Sequence, residues 1–127
     1  MHRAAWVLQL LLGAYFIGSG VVHFVVPDGL PGTLEWMYDL PTWAHYVSGS
    51  AEILGGLGLI LPGLTRIAPR LTPLAAAGLA LVMLLAAIWH ISRGEAPNTV
   101  GNIIVGGLLV FVASVRWRRQ PLPGRGP

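Results

Sequence analysis

The chain has 127 residues and a formal net charge of +3, and its size predicts a single domain. Hydrophobic residues make up 54% of it and charged residues only 10%, whereas a soluble domain carries about 25% charged residues. So few charges cannot cover a water-facing surface, which excludes a soluble protein, and the absence of cysteine excludes disulfides, a dithiol redox couple and thiolate metal sites.

The first apolar segment, residues 4–26, predicts a membrane-spanning helix. It contains 23 residues, and about 20 apolar residues are enough to cross a bilayer. It follows Met1-His2-Arg3, a start that is typical of a signal peptide, but no Ala-x-Ala-like cleavage site comes after it. We therefore predict a retained first span, which ends at the turn Pro27-Asp28-Gly29.

The segment that follows, residues 27–43, is acidic and contains no Arg or Lys. Its central residues, 34–38, predict a short helix in the membrane interface. Three further spans are predicted after it, at residues 43–61, 71–91 and 98–115, each bounded by a Pro/Gly turn or by charged residues.

The order of these spans predicts the fold class. Short loops make consecutive spans antiparallel neighbours, so we predict an all-α integral membrane protein, an up-down antiparallel bundle of four transmembrane helices. A β-barrel is excluded, because its strands alternate apolar and polar residues instead of forming long apolar runs. Residues 1–120 are expected to form this single domain, and the Pro/Gly-rich residues 121–127 are expected to form a flexible tail.

The distribution of arginine predicts the orientation in the membrane. All eight basic residues are Arg, and short cytoplasmic loops carry an excess of Arg and Lys. The first loop has none and the third has only Arg93, so we expect both termini in the cytoplasm and a bacterial-type inner membrane. Charges at chain ends and in loops anchor a protein to a bilayer, and they do not indicate a nucleic-acid partner. The other arginines are Arg3, Arg66, Arg70, Arg116, Arg118, Arg119 and Arg125.

One carboxylate lies within the predicted second span. An ionised side chain at the centre of a bilayer costs about 2.5–3.5 kcal/mol on insertion scales, so such a residue is usually functional, paired or both. Glu52 shares one helical face with His45 and Ser48, which precede it by seven and four residues. This face makes Glu52 the most informative residue of the chain.

The other spans place polar side chains at the same level of the membrane. Ser19 and His23 share a face of the first span, His90 lies at the outer end of the third, and Asn102 lies in the fourth. A bundle can bring these groups together in its outer half. We therefore predict a polar, outward-opening pocket with Glu52 at its floor, whose candidate residues are Ser19, His23, His45, Ser48, Glu52, His90 and Asn102.

Two interpretations of this polar cluster stay open. In one, Glu52 binds a ligand or carries a proton; in the other, it forms hydrogen bonds to His23, Asn102 or a backbone carbonyl and locks the bundle. No metal site is predicted, because the His and Glu spacing matches no compact zinc signature. No catalytic residue is assigned, and the Ser, His and acid residues lack the context of a hydrolase nucleophile.

Three stretches together resemble the DoxX-like family over about residues 10–117. The most specific is the pattern Gly-x-x-Glu-Ile-x-x-Gly-x-x-Leu, which begins at Gly49 and includes Glu52. The other two are the run from Ser19 to Phe24, and Trp89-His90 followed by Asn98 and Asn102. The resemblance implies a small four-helix protein of the inner membrane.

The resemblance also implies a redox setting. The founding relatives are described as the membrane subunit of a thiosulfate:quinone oxidoreductase, and other members associate with superoxide-detoxifying, sulfurtransferase or membrane-assembly partners. Glu52 matches the acid of the family's second span, and His90 matches a polar position that ends the third. His23 stands where part of the family carries Lys, a departure that weakens the case for thiosulfate chemistry.

Two functions are therefore carried forward. The first is a redox-associated membrane subunit, with a quinone or a sulfur oxyanion in the pocket, a quinone as the only suggested cofactor, and a redox partner for the electrons. As an isolated chain it is not expected to be an enzyme. The second is a non-enzymatic assembly or partner-binding protein, in which the polar cluster is structural. The bilayer, a membrane-protein partner and a second copy of the chain are its candidate partners.

Overall fold

A computed structural model describes residues 2–126 of the chain as a helical bundle. The four long helices are α1 (His2–Val25), α2 (Thr42–Thr65), α3 (Leu71–Ser92) and α4 (Ala96–Ser114). A 3-10 helix, Gly32–Tyr38, lies between α1 and α2, and α4 continues into a π-helical turn, Val115–Arg119.

The predicted fold class is confirmed. The described residues contain helices and no strand, and all four long helices are long and apolar enough to cross a membrane. α1 packs against α2, α2 against α3 and α3 against α4, and α1 also contacts α4. The 3-10 helix occupies the position of the predicted short helix between the first and second spans.

The two ends of the bundle differ. The terminal end carries His2, the α2–α3 turn and the π-helical turn, whereas the cap end carries residues 26–41 and the α3–α4 turn. We call residues 26–41 the cap segment. The apolar core includes the buried side chains of Leu12, Leu59, Leu79 and Leu109, one from each long helix, and extends toward the cap end.

α1 and α2 approach closely at reciprocal glycine pairs. A Cβ atom built on Gly20 would lie 2.8 Å from the carbonyl oxygen of Gly49, and one on Gly49 would lie 2.9 Å from that of Gly20. Gly13 and Gly56 repeat this arrangement nearer the terminal end, at 3.0 and 2.7 Å. Small residues let membrane helices pack backbone against backbone, and here they fix the antiparallel register of α1 and α2.

α2 runs through Pro62 and ends at Thr65, one turn beyond the predicted end of the second span. Proline has no N–H, so the carbonyl four residues earlier, that of Gly58, loses its helical hydrogen bond. The hydroxyl of Thr72, on α3, donates to this carbonyl oxygen at 2.8 Å. A neighbouring helix thus satisfies the freed backbone group, as membrane helices containing proline require.

A buried arginine joins the helices at the terminal end. Arg116 is 2% exposed; its Nε donates to Oε1 of Gln9 at 2.6 Å and its Nη1 to the carbonyl oxygen of Gln120 at 3.0 Å. Gln9 in turn donates to the carbonyl oxygen of Leu59 at 2.8 Å. The sequence placed Arg116 among the anchoring charges of the membrane surface, whereas the structure buries it among neutral acceptors.

The last described residues return to the end of α2. Leu122 is buried at 6% exposure, and the Nε of Arg125 donates to the carbonyl oxygen of Thr65 at 2.8 Å. The backbone N–H of Arg125 donates to the carbonyl oxygen of Arg66 at 2.9 Å. These contacts place the segment against the bundle, and the flexibility of residues 121–127 stays a prediction.

We expect Gly20→Ala to lower the free energy of unfolding by about 1–3 kcal/mol, because the new methyl group meets backbone atoms of α2. Thermal unfolding in detergent measures the effect. Gly18→Ala is the matched control: nothing lies within 4 Å of a Cβ built there, and alanine is the better helix former. Equal destabilisation by both variants would contradict the importance of the close approach.

We expect Thr72→Val to lower the free energy of unfolding by about 1–3 kcal/mol, because it leaves the buried Gly58 carbonyl without a donor. Thr72→Ser keeps the hydroxyl and should retain most of the stability. Chemical or thermal unfolding of the two variants checks this. A serine variant as unstable as the valine variant would show that the methyl group of Thr72, and not its hydrogen bond, is what matters.

Candidate functional site

A cavity of about 330 Å³ lies at the cap end, between the long helices and beneath the cap segment. Its lining is mainly apolar, with a small number of polar side chains. Six of the seven residues proposed from the sequence line it: Ser19, His23, Ser48, Glu52, His90 and Asn102. The seventh, His45, lies behind His23 and is not part of the lining.

Glu52 is the acid of this cavity and is 3% exposed. The hydroxyl of Ser19 donates to its Oε1 at 3.1 Å, and its Oε2 lies 2.9 Å from Nε2 of His23. The His23 contact is a close pairing without an aligned hydrogen bond, because Oε2 has no hydrogen-bond partner of good geometry. One oxygen of the carboxyl group is therefore bonded within the bundle, and the other is available to an additional donor.

A chain of close polar contacts extends from Glu52 to the cap segment. Nδ1 of His23 lies 2.9 Å from Nδ1 of His45, and Nε2 of His45 lies 2.8 Å from the carbonyl oxygen of Met37. Both histidines are buried, at 6% and 7% exposure. These contacts therefore lie inside the bundle.

The acceptors in this chain restrict where its protons sit. The carbonyl of Met37 only accepts, so Nε2 of His45 carries hydrogen, and one proton lies between the two Nδ1 atoms. Two lone pairs at 2.9 Å would repel, so either His23 Nε2 or Glu52 Oε2 carries one further proton, although the two atoms are not aligned as a hydrogen bond. Every such arrangement holds three protons and has no net charge, which favours burial in an apolar environment. The three groups form a relay through which a proton can move without charging the site.

A second polar chain closes the cap end. Nδ1 of His90 lies 2.8 Å from Oε1 of Glu95, which also accepts from Nε of Arg93 at 2.9 Å. Nη2 of Arg93 donates to Oδ2 of Asp39 at 2.6 Å. Asp39 immediately follows the 3-10 helix, so these bonds tie the cap segment to the end of α3.

The charges of this chain shift one another's proton affinity. The Arg93 guanidinium, and then the His90 side chain, lower the pKa of the Glu95 carboxyl group by hydrogen bonding. Glu95, and then Asp39, raise the pKa of Arg93. Both groups are therefore ionised at neutral pH, at the point where the cap segment meets the bundle.

Trp36 is a cavity residue that was not among the candidates from the sequence. It lines the cavity from the cap segment. Its ring centroid lies 5.0 Å from that of His90 and 6.0 Å from that of His23. In the sequence, Trp36 is only an aromatic residue within an acidic loop. The way in which a loop folds over a cavity leaves no periodic pattern, so the sequence did not predict that Trp36 lines the site.

Three buried polar atoms of the cavity have no hydrogen-bond partner. They are Nε1 of Trp36, Nδ2 of Asn102 and Oε2 of Glu52. Buried polar groups are almost always satisfied, so each orphan requires an explanation, such as a bound molecule. Two of the three are N–H donors on different elements, which suits a ligand with acceptor atoms.

The described residues contain no cluster of three or more His, Asp and Glu side chains arranged to hold a metal ion. Glu52 has one histidine beside it, His23, and the second histidine, His45, contacts His23 and the carbonyl oxygen of Met37. His90 pairs with Glu95 instead. The acids and histidines of the cap end thus form two separate proton-sharing chains.

We expect Glu95→Gln to lower the melting temperature at neutral pH and to have no effect in acid. A carboxyl group whose pKa is lowered on folding stabilises the protein above its ordinary pKa of 4.5, and this contribution is lost as pH falls through the lowered value. The measurement is the difference in melting temperature between wild type and variant, from pH 7 to pH 3.

The matched control for this pH series is Glu35→Gln, which removes an exposed acid of the cap segment, at the same end of the bundle. It should leave the melting temperature unchanged at each pH. A difference between wild type and Glu95→Gln that persists undiminished at pH 3, or that is already absent at pH 7, would contradict the role given to the Glu95 carboxylate.

Comparison with known proteins gives one match. The family model of the DoxX-like family matches residues 7–112, which is most of the chain. The matched range includes all the residues that line the cavity, both histidines of the relay and the cap segment. No curated protein and no solved structure matches the chain.

Proposed function

Because this chain belongs to the DoxX-like family and has four helices that can cross a membrane, we propose that it is a redox-associated membrane subunit that binds a quinone headgroup. The observation that carries the proposal is the pair of buried, unpartnered N–H donors, Trp36 Nε1 and Asn102 Nδ2, in a mainly apolar cavity. A cavity of about 330 Å³ is within the range of small-molecule sites.

The chemistry of the lining favours a quinone over a sulfur oxyanion. A quinone headgroup is a flat apolar ring with two carbonyl acceptors, which matches apolar walls with two separated donors. An oxyanion would lie beside the Glu52 carboxyl group, and no arginine lines the cavity within the described chain. The aromatic rings of Trp36, Trp89 and His90 offer an edge-packed wall against which a flat ring can lie.

The two chains of proton-sharing side chains, Glu52–His23–His45 and His90–Glu95, also suit a quinone. Reduction of a quinone to a quinol takes up two electrons and two protons. The Glu52–His23–His45 relay can donate one proton to the bound ligand and must then recover it through the cavity, because its far end is the Met37 carbonyl, which has no proton to give. The His90–Glu95 pair connects the cavity to the partly exposed surface of the cap end and is the route by which both protons enter. The electrons come from a partner redox protein, so the isolated chain is not expected to turn over.

The location follows from the charge distribution. We place the protein in a bacterial-type inner membrane with both termini in the cytoplasm, because the terminal end carries seven of the eight arginines and the cap end carries only Arg93. The cavity then opens toward the outer leaflet. A redox protein or a second copy of the chain is expected to contact the bundle.

A structural role is the competing function, and one observation favours it. The His23–His45 chain links α1, α2 and the carbonyl of Met37 in the cap segment, so it holds three elements together without any ligand. On this view the protein is a membrane assembly or partner-binding factor. In the first function the unpartnered donors of Trp36 and Asn102 bind an acceptor atom of a ligand, whereas in the second function they bind no ligand.

We expect Trp36→Phe to weaken binding of a short-chain ubiquinone analogue by about 2–10-fold, the effect of losing one hydrogen bond. Phenylalanine keeps an aromatic ring beside His90 and removes the unpartnered Nε1 donor. Isothermal titration of the detergent-purified protein measures the affinity. Glu52→Gln should also weaken binding, because it removes the proton shared with His23.

Trp43→Phe is the matched control. Trp43 also lines the cavity, but it is 68% exposed, so most of its surface is not buried there. It should bind the analogue like wild type. Thiosulfate and sulfite should not compete with the analogue. If wild type binds no quinone analogue while Glu52→Gln still lowers the melting temperature, the cluster is structural and the quinone proposal is wrong.

A further inference from the structure

A second cavity lies at the opposite end of the molecule. It is an open groove of about 590 Å³ between α3 and the end of α4, and it shares no residue with the cavity of the candidate site. We propose that this groove binds one anionic phospholipid, with the phosphate at the terminal end and an acyl chain between the helices. Its lining includes Pro73, Leu74, Ala77, Ala113, Trp117 and Arg118.

The charge around the groove selects an anion. Of the eight arginines only Arg93 is at the cap end, so seven remain for the terminal end. The five acids, Asp28, Glu35, Asp39, Glu52 and Glu95, all lie in the cap segment, in the half of α2 nearest it, or at the α3–α4 turn. None of the five acidic side chains therefore lies at the terminal end, and clusters of arginine beside membrane helices attract anionic lipids.

The local geometry concentrates this charge at the groove. The guanidinium of Arg70 lies 5.6 Å from the ring centroid of Trp117, so the arginine that precedes α3 stacks on a tryptophan of the groove. Arg118 is the next residue along and is exposed. α3 begins at Leu71, which brings the positive end of its helix dipole to the same place.

The walls of the groove identify the anion as a lipid. Leu74 is 56% exposed, and Ala77 and Ala113 continue an apolar surface away from the arginines. A free phosphate would contact the arginines and leave this surface bare. A phospholipid matches both the charged and the apolar part of the groove, because its phosphate pairs with arginine and its acyl chain covers the apolar wall. Trp117 lies between the two regions, the usual position of tryptophan at a membrane interface.

Native mass spectrometry of the full chain, with phosphatidylglycerol added to delipidated protein, tests the proposal. We expect wild type to hold one phosphatidylglycerol more tightly than phosphatidylcholine. Arg118→Gln and Arg70→Gln should each weaken phosphatidylglycerol binding by about fivefold, the effect expected of one arginine near an anionic headgroup. The matched control is Arg3→Gln, the same change of charge at the same end on α1, which should have little effect.

The Ala77→Leu variant distinguishes lipid binding in the groove from nonspecific attraction of lipid to a positively charged surface. Ala77 is exposed in the groove, so leucine there blocks the acyl chain without changing any charge. It should weaken phosphatidylglycerol binding by at least about fivefold while the melting temperature without lipid stays unchanged. Unaltered binding by Ala77→Leu, equal losses for Arg3→Gln and Arg118→Gln, or glycerol phosphate binding as tight as the lipid would each overturn the proposal.

Discussion

The close approach of α1 and α2 is the contact on which the candidate site depends. Two glycine pairs allow the backbones to touch, and neither pair tolerates a Cβ atom without displacement of a helix. Only at this separation can the short side chain of Ser19 reach Glu52, and His23 reach both Glu52 and His45. The same close packing of small residues is therefore what allows an acid to lie within the membrane bundle. The glycines bring the helices together, and the polar groups then satisfy one another.

Two further buried polar groups find their partners inside the protein. Thr72 supplies the hydrogen bond that Pro62 removes from α2, and neutral acceptors surround Arg116 at the terminal end. The donors of Trp36 and Asn102 are without a partner, and both residues line one cavity. This contrast with the satisfied Gly58 carbonyl is what supports our proposal of a ligand.

The two ends of the molecule have opposite chemistry. At the cap end, acids and histidines form two proton-sharing chains, and the ion pair of Arg93 with Asp39 holds the cap segment over the cavity. The terminal end has arginines without acids and an open groove between α3 and α4. This polarity is the common basis of the two proposals, a quinone site at the cap end and an anionic lipid at the terminal end.

The sequence by itself determined the class of protein and the number of candidate spans, because hydropathy and helical periodicity are local properties of the chain. It also indicated which polar residues share a membrane level, and six of the seven line one cavity. Only the tertiary structure decided which of them pair: His45 contacts His23 and not the cavity, and His90 contacts Glu95 and not Glu52. It alone placed Trp36 over the site and buried Arg116. Those outcomes depend on how an aperiodic loop folds back and on the distance between helices, and neither leaves a local pattern in the chain.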